Sequence, residues 1–143
     1  MNSFRADAST TTGQTNLPDC AYIKLNMPNE VCDTGNHYDP TLSRWTPPAG
    51  PIIIQGQVWV GDVSQGSGGY TDFVAKVYKN GAGITTGIGT QSGFPGWPVA
   101  PICCVDNANG TDYYEVYIFT TSPGSVARSD YNPAHTWWGG ISA

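Results

Sequence analysis

Pro47-Pro48-Ala49-Gly50-Pro51 constrains this chain more than any other stretch. Three prolines in five residues remove amide donors and fix φ, so no helix can cross them. Ile52 to Val60 follows at once and is rich in β-branched and aromatic residues, which predicts a strand. Its even positions, Ile52, Ile54, Gly56, Val58 and Val60, are apolar throughout. Its odd positions, Ile53, Gln55, Gln57 and Trp59, are mixed. Side chains alternate across a strand, so one face meets a core and the other does not.

The rest of the chain reads as further short strands. Cys20–Leu25 and a segment around Glu30-Val31-Cys32 precede the proline stop. After it come Tyr70–Lys79, Ile84–Thr90, Val99–Val105, Thr111–Thr121 and His135–Ile141. Asn80-Gly81 is the favoured pair for a two-residue hairpin turn. Pro101 would deny one ladder hydrogen bond, so its strand is expected at an edge or a bulge. Gly61–Gly69, Gln91–Pro98 and Ser122–Asn132 read as loops. No stretch keeps a 3.6-residue period, and 143 residues suffice for one core. The expectation is all-β: a sandwich of eight to ten short antiparallel strands over residues 16–143. Residues 1–15, rich in Ser, Thr and Gly, are expected to be an N-terminal arm or linker, either disordered or docked on a neighbouring subunit.

Charge and cysteine content exclude several functions. The net charge is −5, and the six Lys and Arg form no cluster in sequence, which argues against nucleic acid as a partner. No apolar run is long enough to span a bilayer, so no membrane insertion is expected. MNSFRADASTTTG lacks the basic-then-apolar pattern of a signal peptide. Synthesis in a cytoplasm, with release inside a particle, is the expected route. Cys20, Cys32, Cys103 and Cys104 have the wrong spacing for a zinc site. Cys103 and Cys104 should point to opposite faces of a strand, and a Cys20–Cys32 bridge stays open.

The chemistry of catalysis is thin. The only histidines are His37 and His135, and neither a G-x-S-x-G elbow nor a His-Glu-x-x-His motif occurs. Asp33, Asp39, Asp62, Asp106 and Asp130 fall in predicted turns, where Asp usually bonds its own backbone. No calcium loop of the Asp-x-Asp-x-Asp-Gly type is present. No catalytic residue, metal or cofactor is expected.

Val31-Cys32-Asp33, Tyr38-Asp39-Pro40, the run Ser43-Arg44-Trp45-Thr46-Pro47-Pro48-Ala49-Gly50 and the strand after it resemble the tumour necrosis factor and complement C-one-q type jelly roll. ANGTDYYEVYIF and the closing HTWWGGISA are similar to later strands of that family, so the resemblance runs from about Ala21 to the end. Pro51-Ile52 departs from it, standing where the family has a second glycine and an aromatic. The versions most alike are those of bacteriophages and phage-like particles. The resemblance implies a compact homotrimer with the late strands near the three-fold axis.

The strand Thr111–Thr121 has two apolar faces: Tyr114, Val116 and Ile118 on one, Tyr113, Tyr117 and Phe119 on the other. Exposed contiguous aromatics usually mark an interface, although loops could cover that face instead. Tyr113, Tyr117, Phe119 and Trp137 are therefore the candidate trimer interface. Tyr70, Phe94, Trp97 and Tyr131 are candidate recognition residues on loops, where recognition usually resides. The function expected is a non-enzymatic virion protein: a trimeric head fibre or spike, a decoration protein or a tail-fibre tip. It would attach to other virion proteins through residues 1–15 and meet a host-surface polysaccharide. The alternative is a bacterial carbohydrate-acting enzyme or its binding module.

Overall fold

The computed structural model describes residues 1–9, 14, 18, 20–62, 72–84, 99–121, 127–129 and 136–143. Among them every regular element is a strand: β1 (Asn2–Asp7), β2 (Tyr22–Lys24), β3 (Asn29–Asp33), β4 (Tyr38–Asp39), β5 (Arg44–Trp45), β6 (Gly50–Asp62), β7 (Asp72–Lys79), β8 (Ala82–Gly83), β9 (Val99–Ala108), β10 (Tyr114–Thr121), β11 (Ala127–Ser129) and β12 (Trp137–Ser142). These twelve exceed the eight to ten expected, because several are two or three residues long and carry no alternation to read. β11 lies inside a stretch expected to be a loop. No helix of the described chain is long and apolar enough to cross a membrane.

Two antiparallel sheets form a sandwich. The first has the order β11-β6-β12-β1-β3, with β9 also paired to β6. The second has the order β4-β5-β10-β7-β8, with β2 also paired to β10. The strand after the proline stop is the hub of the first sheet, with register partners in β9, β11 and β12. As the alternation predicts, Ile52, Ile54 and Val58 are buried and Ile53 is exposed. Among the described pairings β9 meets only β6, so Pro101 sits on an edge strand. β7 turns into β8 through Asn80 and Gly81 at φ 53° and 80°. Both are left-handed, as a two-residue hairpin turn of matching twist requires.

The expected N-terminal arm is corrected at residues 2–8. Residues 2–7 are β1, placed between β12 and β3. Phe4, Ala6 and Ala8 are buried in the core. The Phe4 ring lies 5.0 Å from Tyr38, stacked at 13°, and 4.7 Å from both Trp45 and Trp138. A strand that supplies the centre of an aromatic cluster is part of the fold. The alternation Phe4/Ala6/Ala8 was the available signal, masked by small and charged neighbours.

β7 of the second sheet is tied to β9 of the first by an ionic network at one end of the sandwich. Lys79 Nζ lies 2.8 Å from Asp106 Oδ2 and 3.0 Å from Asp112 Oδ2. Tyr114 donates its phenol to Asp106 at 2.7 Å, and Asn80 Nδ2 donates to Asp112 at 2.7 Å. The bond to Asp106, foremost, holds the Lys79 ammonium well above its usual value. Burial opposes ionisation of Asp106, but Lys79 and Tyr114 overcome it and hold the carboxyl low. Asp112 is held low chiefly by Asn80. Asp106 therefore works within a strand, not in the turn expected of it.

Candidate functional site

The residues singled out from the sequence fall on three different regions. Tyr70, Phe94, Trp97 and Tyr131 lie outside the described residues. Tyr113, Tyr117 and Phe119 lie on the outer face of the second sheet, since their neighbours Tyr114, Val116 and Ile118 are buried. Trp137 lies on the outer face of the first sheet, because the adjacent Trp138 is buried against Phe4. The proposed four-residue interface is thus divided between opposite sides of the sandwich. Alternation gives the face of a strand but not the sheet to which the strand belongs.

On the second sheet the outward aromatics pack on their own chain. Tyr117 stacks on Tyr78 with centroids 3.9 Å apart. Tyr22 approaches Phe119 at 5.2 Å and Tyr78 at 5.9 Å. The Arg44 guanidinium lies 3.8 Å from the centroid of Tyr113. Glu115, on this same outward face, is only 2 % exposed. Its Oε1 accepts from Arg44 Nε at 3.0 Å and Nη2 at 2.9 Å, and Lys24 Nζ lies 3.4 Å away. Sequence reading singled out Tyr113, Tyr117 and Phe119 but missed Tyr22 and Tyr78, which come from strands 35 or more positions away. Desolvation holds the Tyr78 and Tyr117 phenols above the ordinary value.

The first sheet presents a different surface. The register aligns Ile141 with Ile53 and Ile53 with Val105, a row across β12, β6 and β9. Trp59 pairs with Val99, and Gln57 pairs with both Trp137 and Pro101. Val105 is 73 % exposed, Ile53 48 %, Ile141 39 % and Val99 38 %. These four are half of the large exposed hydrophobics of the described chain. In sequence they are separate strand residues; the register sets Ile141, Ile53 and Val105 side by side, with Val99 farther along β9.

Other candidate chemistry is engaged in holding the backbone. The Asp33 carboxylate accepts from the amides of Gly35, His37 and Tyr38. Asp39 accepts from Thr41 and Leu42. These are the turn-capping roles expected of them. A cleft of about 330 Å³ between His37–Asp39 and Thr46–Pro48 is floored by this same motif. Tyr38 turns its ring into the core and donates its phenol to Met27 O at 2.7 Å, and burial pushes that phenol up to about 12. Among the described residues no three His, Cys, Asp or Glu converge as a metal site. Cys32, Cys103 and Cys104 are free thiols, so the Cys20–Cys32 bridge is not formed, and Cys103 faces outward while Cys104 is buried.

No family model and no curated protein sequence matches the chain. Solved structures do match in shape. A crystal structure of murine APRIL at pH 5.0 superposes with a TM-score of 0.68 at 14% identity, covering 99% of this chain and 98% of that one. The globular domain of zebrafish complement 1qA protein superposes with a TM-score of 0.55 at 10% identity, covering 99% and 97%. The fold is a jelly roll. At this identity the likeness is one of fold, and it agrees with the resemblance read from the proline-stop motif.

Proposed function

We propose that this chain is a non-enzymatic, homotrimeric binding domain, displayed on a bacteriophage or phage-like particle as a fibre, spike or decoration protein. The observation that carries the self-association is the row Ile141–Ile53–Val105, with Val99 farther along the same face of β9. Three large aliphatic side chains side by side on one sheet face are costly to leave in water. A second and third copy covering that face would remove them under closed cyclic symmetry. Trp137, on this face, stays in the proposed interface, whereas Tyr113, Tyr117 and Phe119 face away from it. The particle context is supported by the likeness of the proline-stop motif to phage versions of the fold. Attachment to other virion proteins uses surfaces other than residues 2–8, which β1 commits to the sheet. A host-surface polysaccharide is the proposed target.

The test is the mass in solution. Wild-type protein is expected at three times the chain mass of 15.2 kDa by light scattering. Val105→Asp should shift it to monomer while leaving the circular dichroism spectrum unchanged, because a carboxylate at that interface would lose its water. A wild-type monomer at micromolar concentration, or a trimeric Val105→Asp, would overturn the assignment. Gold-labelled antibody against the chain should decorate the surface of intact particles, and labelling confined to cell lysate would refute the virion role. Binding of a polysaccharide without release of sugar separates this reading from a carbohydrate-acting enzyme.

A further inference from the structure

We infer that the outer face of the second sheet is a binding platform for an acidic sugar, with a carboxylated pyranose resting between Tyr22, Tyr117 and Lys76. The inference rests on the proposed recognition role and assigns the ligand class and the place. The register sets Tyr117 between two lysines, opposite Lys24 on β2 and Lys76 on β7. Tyr78 stacks on Tyr117 at 3.9 Å, and Tyr22 lies 5.9 Å from Tyr78 and 5.2 Å from Phe119.

The charge of this face runs against that of the molecule. The chain carries −5, with eleven Asp and Glu to six Lys and Arg. Three of those six cations, Lys24, Arg44 and Lys76, lie here. Glu115 is already occupied by Arg44 and Lys24, and Asp39, beside Arg44 across β4 and β5, is turned into its own loop. No described carboxylate lies within ion-pair distance of Lys76. Its ammonium sits 5.6 Å from the Tyr22 centroid. A strand face rich in rings, with an ammonium that no described acid neutralises, is complementary to an anion that also has an apolar side.

The shape favours sugar over peptide. The contacts proposed are side chains on the face of a sheet, whereas an extended peptide would pair with a backbone edge. A pyranose has a flat C–H face that stacks on phenol rings, and its equatorial hydroxyls reach the Tyr22 hydroxyl, while the Tyr117 hydroxyl is turned to Glu115. A ring carboxylate would then meet Lys76. Rings already packed against one another lose little freedom when a ligand arrives. β10 and β7 pair over eight residues, so they hold the spacing rigidly.

Calorimetric titration of the full chain with oligogalacturonate, sialyllactose, neutral dextran and poly-glutamate tests this. At least one acidic sugar should bind, dextran should bind more weakly, and affinity should fall between 0.02 and 0.3 M salt, concentrations chosen to shorten the screening length to below about 10 Å. Tyr22→Ala and Lys76→Gln should each weaken acidic-sugar binding roughly five- to tenfold with unchanged melting temperature. The Val105→Asp variant should bind with the same affinity per chain, so a failure of trimer formation and a failure of this site are told apart. The site is overturned if neither acidic sugar binds, if dextran binds equally well, or if the two variants bind like wild type. Poly-glutamate binding that survives Tyr22→Ala would assign the face to an acidic peptide and overturn it as well.

Discussion

Phe4→Ala is the sharpest test of the fold, because it asks whether the first strand belongs to it. The Phe4 side chain is 3 % exposed and sits among Tyr38, Trp45 and Trp138 with centroids 4.7 to 5.0 Å away. Truncating a buried phenylalanine loses its transfer free energy and leaves a cavity, together about 3–5 kcal/mol. The three rings around it are too large to close over the space by a rotamer change alone. A domain of this size melts about 3–4 °C lower for each kcal/mol lost, so a fall of roughly 10–20 °C is expected. The assay is thermal unfolding followed by near-ultraviolet circular dichroism, which reports the packed aromatics, at one fixed protein concentration because assembly shifts the midpoint. Leu42→Ala is the control, since Leu42 is 44 % exposed. A Phe4→Ala protein melting within 2 °C of wild type, a margin of under about 1 kcal/mol, would refute the placement of β1 and restore the free arm.

Three more perturbations follow from the packing and the charges. Gly140→Ala should cost about 1–3 kcal/mol in urea unfolding by overpacking, because a Cβ there would meet Trp45 ring atoms at 2.5 and 2.7 Å and Phe4 at 2.9 Å; a neutral result would mean the rings yield freely. The carboxyls of Asp106 and Asp112 are depressed in the fold, so their stabilisation is present above the ordinary aspartate value of 3.8 and is lost as pH falls through the folded values. The urea midpoint of wild type should drop between pH 5 and pH 3, and Asp106→Asn/Asp112→Asn should flatten that drop; an unchanged slope would place the acid sensitivity elsewhere. Arg44→Met leaves Glu115 buried with Lys24 and the Tyr117 hydroxyl beside it, a cost of about 2 kcal/mol, below the usual range for a broken buried pair because those partners remain. Adding Glu115→Gln should recover most of it, and a double variant no better than the single one would show that Arg44 acts through its stacking on Tyr113 instead.

The sequence foretold most of the strands and some of the surface. Ile52–Val60 was legible because it alternates over nine residues after a stop that allows nothing else. Asn80-Gly81 was legible because its chemistry suits one turn type. Pro101 announced an edge. Phe4 and Ala6 were hidden because a six-residue strand with Asn, Ser, Arg and Asp between its apolar positions resembles a polar tail. The two surfaces were hidden for a deeper reason. Val105, Ile53 and Ile141 become neighbours only through pairings between strands dozens of residues apart, as do Tyr22, Tyr78 and Tyr117. Side-chain alternation is a local property, whereas membership of a sheet is a property of the whole chain. That is why Trp137 and Tyr117 could be grouped from sequence and yet stand on opposite sides.

The pairing of β1 with β12 sets Asn2 opposite Ser142. β1 thus waits for a partner strand that lies about 130 residues later in the chain. At a ribosome adding about 5–20 residues per second, β1 leaves the tunnel several seconds before its neighbour exists. During that interval Phe4 has no Trp138 to pack against, and the β12 side of β6 remains an open ladder beside the exposed Ile53. Contacts so distant along the chain also slow folding after release, since the loop must close before they contribute. A nascent chain of this kind is a natural client for a holding chaperone, and lowering the growth temperature or the expression rate should raise its soluble yield more than changing the buffer of the purified protein.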